Sequence, residues 1–186
     1  MKLLIMGPPG VGKGTQAGRI KGALNIVHLS TGEILRAEVN AKSDVGIDAK
    51  SYMDKGQLVP DTILIKIVKE RISKPDCANG YLLDGFPRTL PQAEGLNEMM
   101  TSIGHDLDCA ISLTADEDEL VNRLIKRGED SGRSDDTPDV IRNRQKIYWE
   151  QTAPLLDFYR EKGILNDVNG LGEISEITER ILDVLK

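Results

Sequence analysis

The chain has 186 residues, a length that fits one domain with room for insertions. Its formal net charge of −6 excludes a broadly basic surface, so we expect neither a nucleic-acid polymer nor an anionic membrane as its main partner. The two cysteines, Cys77 and Cys109, are far apart in sequence and fit neither a disulfide framework nor a zinc site. The N-terminus leads directly into an apolar strand, and no apolar run reaches membrane-spanning length, so we expect a cytoplasmic protein without a signal peptide.

The first predicted element is a short buried strand at residues 3–6, which a glycine-rich turn follows. The turn, residues 7–15, reads GPPGVGKGT, and the chain from Gln16 onward is predicted to start a helix. Glycines let backbone N–H groups converge on an anion at a helix N-terminus, and Lys13 adds a cation for the β- and γ-phosphates of a nucleotide. The pattern therefore indicates a phosphate-binding loop, with an ordinary glycine-rich turn as the alternative. Gly14 stands where the general pattern has a Ser or Thr for Mg²⁺, so we expect the metal to be held less directly.

The next segment combines a second strand, at residues 26–29, with the start of a helix. Ser30 and Glu33 have the spacing of a capping box, which predicts a helix to about residue 39. The neighbouring Thr31 fits either capping or ligand binding. The sequence then predicts a short helix at 46–55, a loop at 57–61 and an amphipathic helix that carries Ile63, Leu64, Ile67, Val68 and Ile72.

A third strand, at residues 80–83, ends on a carboxylate, Asp84, which Gly85 follows. In parallel α/β sheets, catalytic groups gather at the carboxyl ends of the strands. Asp84 is therefore placed like the acid that helps to hold Mg²⁺ in phosphate-loop enzymes. The alternative is that Asp84 only forms a turn before Gly85. A helix is predicted at residues 89–100, with Pro91 near its start.

The second half of the chain continues the alternation of strands and helices. Residues 128–136 form a polar segment bounded by glycines, which predicts either a loop that closes over a site or an ordinary solvated loop. The other predicted elements are a strand at 108–113, a helix at 115–127, a long helix at 137–162 that Pro154 kinks or divides, a strand at 164–168 and a helix at 173–185. Five strands that alternate with helices predict a doubly wound, mostly parallel α/β sheet.

Several arginines lie at predicted strand ends, beside glycines or at helix ends: Arg36, Arg88, Arg123, Arg127, Arg133 and Arg144. Phosphoryl transfer needs such a set because the charge on the phosphate oxygens must be neutralised, and the forked guanidinium suits phosphate. Neither His28 nor His105 belongs to a triad-like pattern, and the sequence offers no convincing general base. A phosphate monoester acceptor would need none, since its second pKa is about 6.

Five motifs together resemble adenylate kinase: residues 7–15 (GPPGVGKGT), 30–36 (STGEILR), 57–60 (QLVP), 84–88 (DGFPR) and 132–136 (GRSDD). The resemblance spans nearly the whole chain, and Gly14 after the lysine matches that family's pattern. It implies a five-stranded parallel sheet flanked by helices, of the P-loop NTPase type, within one kinase domain at 1–186. It also implies a nucleoside monophosphate (NMP)-binding insertion at 30–59 and a short lid at 128–136. The implied reaction is ATP + AMP ⇌ 2 ADP with Mg²⁺ and without zinc, in a cytoplasmic monomer whose partners are the nucleotides ATP, AMP and ADP, with no nucleic acid and no membrane.

The resemblance also implies roles for individual residues. The groups implied to act in catalysis are Lys13, Asp84, Arg88, Arg127, Arg133 and Arg144, and Asp84 would orient Mg²⁺ through water. Those implied to bind ATP are Gly10, Val11, Gly12, Lys13, Gly14, Thr15, Arg123, Arg127 and, beside the adenine, Gly172. Those implied to bind AMP are Thr31, Arg36, Gln57, Leu58, Val59, Gly85, Phe86, Pro87, Arg88, Gln92, Arg133 and Arg144. Asp135 and Asp136 would help to close the lid.

Three alternatives remain at this point. A UMP/CMP kinase would share the loops, but Thr31, the Thr89 that follows Arg88, and the carboxamide of Gln92, which can pair with adenine, favour AMP. A catalytically silent nucleotide-binding regulator would keep the loop, but the presence of Lys13, Asp84 and the arginines disfavours it. A GTPase is disfavoured because the sequence lacks an Asn-Lys-x-Asp motif.

Overall fold

The computed structural model describes residues 1–131 and 135–186, and this part of the chain contains one five-stranded parallel sheet. The strands lie in the order β2-β3-β1-β4-β5, so the predicted sheet is confirmed. Their bounds are β1 Lys2–Met6, β2 Val27–Ser30, β3 Tyr81–Asp84, β4 Cys109–Thr114 and β5 Leu165–Asn169. Because all pairs are parallel, the carboxyl ends of the strands meet along one edge of the sheet.

Helices connect the strands and cover both faces of the sheet. They are α1 Lys13–Leu24, α2 Thr31–Ala41, α3 Asp44–Met53, α4 Asp61–Ile72, α5 Leu90–Ser102, α6 Glu117–Ser131, α7 Pro138–Ile147, α8 Pro154–Glu161 and α9 Ile174–Asp183. A short 3₁₀ turn, Pro75–Cys77, precedes β3, and a π-helical segment, Tyr148–Thr152, joins α7 to α8.

Alternation along the strands divides the core into two apolar clusters. Leu4 and Leu83 point to the cluster that contains residues of α4, α5 and α8. Ile5 and Ile111 point to the opposite cluster, which contains residues of α1 and α9. Successive strand residues face opposite sides of a sheet, and a strand that is buried on both sides is apolar throughout, as the run at residues 3–6 is.

Helices α2 and α3 form a compact pair between β2 and α4. Their close approach depends on Gly46, because a Cβ atom there would lie 2.1 Å from the backbone oxygen of Glu38. Ser30 caps α2, since its side chain accepts a hydrogen bond from the backbone N–H of Glu33, as predicted. The pair lies within the segment predicted as an insertion at residues 30–59.

Three predicted element boundaries were wrong. Helix α1 starts at Lys13, so the last residues of the glycine-rich motif form its first turn. Residues 128–131 continue α6, so the predicted loop at 128–136 begins later than expected. The long helix predicted at 137–162 is divided as expected, but the irregular segment lies before Pro154: Ala153 donates its N–H to Tyr148 O, five residues back.

Candidate active site

A cavity of about 760 Å³ lies along the carboxyl edge of the sheet. Its walls come from the loop after β1, the end of β3, the start of α2, the loop that follows α3, α6, α7 and the start of α9. This is the position that parallel α/β topology favours for a ligand site, and the volume falls in the range of nucleotide-sized pockets.

The predicted phosphate-binding loop begins directly after Met6, the last residue of β1. Gly10 has a φ of 90°, and a Cβ atom there would lie 2.7 Å from the backbone oxygen of Leu120 in α6. A side chain at this position would therefore meet both an unfavourable backbone angle and a clash. The loop is consequently pressed against α6, the helix that carries Arg123 and Arg127.

Lys13 lies in the cavity wall, at the start of α1. Its Nζ donates hydrogen bonds to the backbone oxygens of Gly7, at 2.7 Å, and Pro8, at 3.1 Å. The pKa of Lys13 is lowered to about 8, mainly because burial disfavours the charged ammonium. The Asp84 carboxylate opposes this shift, and the charges of nearby arginines add to it. A phosphate group would relieve this electrostatic cost, so the ammonium is poised for an anion.

Asp84, at the end of β3, is paired with a histidine that the sequence analysis did not select. His28 in the neighbouring strand β2 lies with Nε2 3.2 Å from Asp84 Oδ2. The carboxylate is only 7% exposed, and burial alone would raise its pKa, but the His28 hydrogen bond and the Lys13 charge lower it below the ordinary value. Asp84 is therefore an ionised acid at the edge of the cavity. In the register of β2 with β3, Ser30 lies opposite Asp84, and His28 lies two residues before Ser30 on the same strand. The contact could therefore be inferred only after the strand order was known.

The predicted arginines converge on the same cavity. Arg88, Arg123, Arg127 and Arg144 all line it. Burial lowers the pKa of Arg88, and the positive charge of Arg144 adds to this effect, which reflects their proximity. Such crowding of cations is unfavourable unless anions compensate it.

Two carboxylates compensate part of that charge. Asp136, whose side chain is fully buried, accepts two hydrogen bonds of 2.7 Å from Arg127 and one of 2.7 Å from Arg144. Arg144 also contacts Asp135, with NH1 3.0 Å from a carboxylate oxygen. The carboxylates hold both guanidiniums in place, in a fork-like geometry that a phosphate can also accept.

Helix α7 also contacts the phosphate-binding loop directly, through a second residue that sequence reasoning missed. Gln145, which follows Arg144, donates from Nε2 to the backbone oxygen of Pro9 at 3.0 Å. This long-range bond ties the helix that carries Arg144 to the loop that carries Lys13.

The motif after β3 packs against α2 and α5. Thr31 is buried and donates a long hydrogen bond, 3.4 Å, to the backbone oxygen of Asp84. Arg88 donates from Nε to the backbone oxygen of Gly85 at 2.8 Å. Gln92 is 0% exposed, and both ends of its carboxamide are hydrogen-bonded, to Asp61 and to the backbone of Arg88.

Gly172 and Ile174, at the start of α9, also line the cavity. Gln16, directly after the loop, donates from Nε2 to the backbone oxygen of Ile174 at 3.0 Å and accepts from Thr178 Oγ1 at 2.7 Å. This buried amide fixes the first turn of α9 relative to α1. It was not among the predicted site residues.

The cavity brings together most, but not all, of the predicted site residues. Those that line it are Gly10, Val11, Gly12, Lys13, Gly14, Thr15, Arg36, Leu58, Asp84, Gly85, Pro87, Arg88, Arg123, Arg127, Arg144 and Gly172. Those that lie behind or beside it are Thr31, Gln57, Val59, Phe86, Gln92, Asp135 and Asp136. Arg133 lies outside the described residues, so its predicted roles stay predictions.

Within residues 1–131 and 135–186, no group of three or more His, Cys, Asp and Glu side chains is arranged to hold a metal ion. In the same part of the chain, no helix is long and apolar enough to cross a membrane.

The chain is similar to known proteins over its full length. A family model described as adenylate kinase matches residues 5–164. An adenylate kinase of Nocardioides sp. is 49% identical over 185 residues, which cover 100% of this chain and 97% of the relative. An adenylate kinase of Leptospira biflexa is 50% identical over 181 residues, covering 97% of each chain, and one of Bifidobacterium longum is 48% identical over 186 residues, covering 100% of each.

Proposed function

This chain belongs to the adenylate kinase family, and we propose that its cleft transfers the γ-phosphoryl group of ATP directly to AMP in the reversible reaction ATP + AMP ⇌ 2 ADP. The observation that carries this proposal is the convergence of Lys13, Arg88, Arg127 and Arg144 with the buried, ionised Asp84 in one cavity of about 760 Å³. A cationic cavity of this size suits two nucleotides whose phosphates meet between the guanidiniums.

The proposed mechanism relies on positioning and charge. Lys13 and the loop N–H groups hold the donor phosphates, and Arg123 and Arg127 approach them from α6. Arg88 and Arg144 hold the acceptor phosphate in line. An ionised phosphate oxygen of AMP attacks without a general base, because the second pKa of a phosphate monoester is about 6. As the bond to the leaving ADP oxygen breaks, the arginines neutralise charge on the transferred group.

Magnesium fits the residues present. Asp84 supplies one ionised carboxylate beside the loop, with Oδ2 3.9 Å from the point where a Cβ atom of Gly14 would lie. Mg²⁺ prefers oxygen ligands and keeps several of its waters, so one carboxylate that acts through water, together with ATP phosphates, suits it. Bound with ATP, Mg²⁺ would neutralise phosphate charge. The role of the chain itself is to keep Asp84 ionised and oriented, which the hydrogen bond with His28 supports.

Two segments are proposed to move during the reaction: the AMP-binding insertion at 30–59 and the short lid at 128–136. The lid proposal is supported by the carboxylates of Asp135 and Asp136, which reach across to Arg127 and Arg144. We also propose that the protein acts as a cytoplasmic monomer on free nucleotides, which its membership of the adenylate kinase family favours. Analytical ultracentrifugation at assay concentrations would test the monomer.

The direct test of the function is a coupled phosphotransfer assay with ATP and Mg²⁺, using AMP, UMP, CMP and GMP in parallel. We expect fast turnover with AMP and little with the others. Preference for UMP or CMP would keep the mechanism but contradict the assignment of the acceptor. Binding of ATP without turnover on any acceptor would identify a silent regulator.

The Gln92→Leu variant is expected to lower kcat/KM for AMP about 100-fold and to change the KM for ATP less than about 3-fold, because a base-pairing carboxamide is lost only on the acceptor side. Steady-state kinetics with each substrate varied in turn measures both values. Gln151→Leu, at an exposed glutamine, is the matched control. Unchanged AMP saturation in Gln92→Leu would exclude Gln92 from base recognition.

The pH dependence of kcat/KM for ATP should report the ionisation of Lys13. The charged ammonium binds phosphate, so kcat/KM is expected to be level below about pH 7, to bend near the pKa of about 8 and to fall about tenfold per pH unit above it. Bound phosphates favour the ammonium, so kcat should fall only at higher pH. A kcat/KM that stays level to about pH 9.5 would contradict the lowered pKa.

A further inference from the structure

Asp61, the first residue of α4, holds the carboxamide of Gln92 from one side. Gln92 Nε2 lies 2.6 Å from Asp61 Oδ1, and Gln92 Oε1 accepts the backbone N–H of Arg88 at 2.7 Å. Gln92 is 0% exposed, and Asp61 and Gln92 are 31 positions apart in sequence, so the contact joins two separate elements. Pro60 occupies the N-cap position of α4, so Asp61 lies in the first turn of that helix.

These two contacts determine which way the carboxamide faces. A carboxylate can only accept hydrogen bonds, and a backbone N–H can only donate one, so the nitrogen of Gln92 must face Asp61 and the oxygen must face Arg88. Oxygen and nitrogen of an amide are otherwise hard to distinguish, but here the partners leave a single assignment. Rotating the carboxamide by 180° would place oxygen against carboxylate and N–H against N–H.

The orientation matters because each end of the carboxamide can still form one more hydrogen bond. Nε2 has a second hydrogen, and Oε1 has a second lone pair. The free edge therefore offers one donor and one acceptor in fixed positions. Adenine needs a donor for N1 and an acceptor for its 6-amino group, whereas hypoxanthine, with N1–H and a 6-oxo group, needs the opposite order.

We propose that Asp61 is a specificity-determining residue, which selects a 6-amino over a 6-oxo purine monophosphate by fixing the orientation of Gln92. This inference rests on the proposed function and on the predicted contact between Gln92 and the acceptor base. Since Gln92 is fully buried, the acceptor base has to part the neighbouring side chains to reach its free edge. Asp61 acts through Gln92 and has no contact with the reacting atoms.

AMP and IMP are the appropriate probes, because they share the ribose and phosphate and differ at the base edge that Gln92 would contact. With wild-type enzyme, ATP and Mg²⁺, we expect strong preference for AMP, since a buried site that hydrogen-bonds one pattern leaves the opposite pattern unpaired. In Asp61→Ala only the Arg88 N–H still orients the carboxamide. The ratio of kcat/KM for AMP to that for IMP should then fall about 10-fold or more, while the KM for ATP stays the same.

Asp61→Asn provides a second, isosteric variant, which can pair with either orientation of Gln92. We expect the same ratio to fall about 5-fold in Asp61→Asn, a smaller loss than in Asp61→Ala, because a neutral hydrogen bond is weaker than a charge-assisted one. Asp139→Asn is the matched control, since Asp139 also lies in the first turn of a helix but is exposed and paired with Arg142. Its ratio should equal that of the wild type.

A merely structural role for Asp61 would lower activity with AMP and IMP equally and would lower thermal stability, leaving the ratio unchanged. An unchanged ratio in a folded Asp61 variant therefore overturns the inference, and Asp61→Asn decides it if Asp61→Ala does not fold. Failure of the proposed function has a different outcome, namely no turnover of AMP by the wild type. A fall of the ratio in both Asp61 variants, with none in Asp139→Asn, supports the inference.

Discussion

The Lys13→Met variant is expected to lower kcat about 1,000-fold while leaving the protein folded. Methionine keeps the approximate length of the lysine stem but removes the cation that pairs with the β- and γ-phosphates, and a charged contact aimed at the transferring group contributes on this scale. The folded state does not depend on the charge. Burial and nearby arginines lower the pKa of Lys13 to about 8, so the ammonium, which is still the main form at neutral pH, destabilises the folded protein relative to the unfolded chain.

Coupled assays at saturating ATP and AMP, together with thermal unfolding, would measure both effects. We expect the midpoint of unfolding in Lys13→Met to equal or exceed that of the wild type. Lys21→Met is the matched control, because Lys21 is an exposed lysine in the last turn of the same helix, α1, and should retain full activity. A loss of less than about 10-fold in kcat for Lys13→Met would remove Lys13 from the transfer step.

The Arg144→Met variant is expected to show the second large effect, a loss of about 1,000-fold in kcat. The Arg144 side chain is 18% exposed and donates a hydrogen bond to Asp136. Its positive charge is close enough to Arg88 to lower the pKa of that arginine. Removal of one arginine that stabilises charge on a transferred phosphoryl group typically costs about this factor or more. Some loss of stability should accompany it, because the buried Asp136 would lose one of its charged partners.

Arg142→Met separates the role of Arg144 from a general charge effect. Arg142 lies on the same helix, α7, but its side chain is 75% exposed and pairs with Asp139 at the surface. Surface ion pairs contribute little, so kcat and stability should stay close to wild type. Steady-state kinetics of both variants at one ionic strength provides the comparison. Equal losses in the two variants would indicate long-range attraction of nucleotides instead of a specific contact.

The position of the active site could be predicted from local sequence alone. The glycine-rich loop, the strand that ends on Asp84, and the alternation of strands with helices are all encoded within short windows. Parallel strands that alternate with helices bring their carboxyl ends to one edge, so the loop and Asp84 had to meet. The structure agrees, because Lys13 and Asp84 line a single cavity together with Arg36, Arg88, Arg123, Arg127 and Arg144.

The contacts that orient those groups could not be predicted in this way. His28 meets Asp84 because β2 pairs with β3 and not with β1, and Gln145 meets Pro9 because α7 lies over the loop. In both contacts the two residues are remote in sequence. The polar and apolar pattern around each residue would be the same with a different partner, so the pattern cannot identify the partner. Gln92 was predicted to face a base, and only the structure reveals that Asp61 and the Arg88 backbone already hold its two ends.

The sequence by itself thus determined the fold class, the phosphate-binding loop and the set of charged residues, because hydrophobic periodicity, glycine spacing and helix-start signals are local properties. The strand order, the partners of Asp84 and Gln92, and the pairing of Asp136 with Arg127 and Arg144 became known only from the tertiary structure. These features depend on packing and electrostatics between distant segments, where burial makes each polar group require a partner that no local pattern specifies.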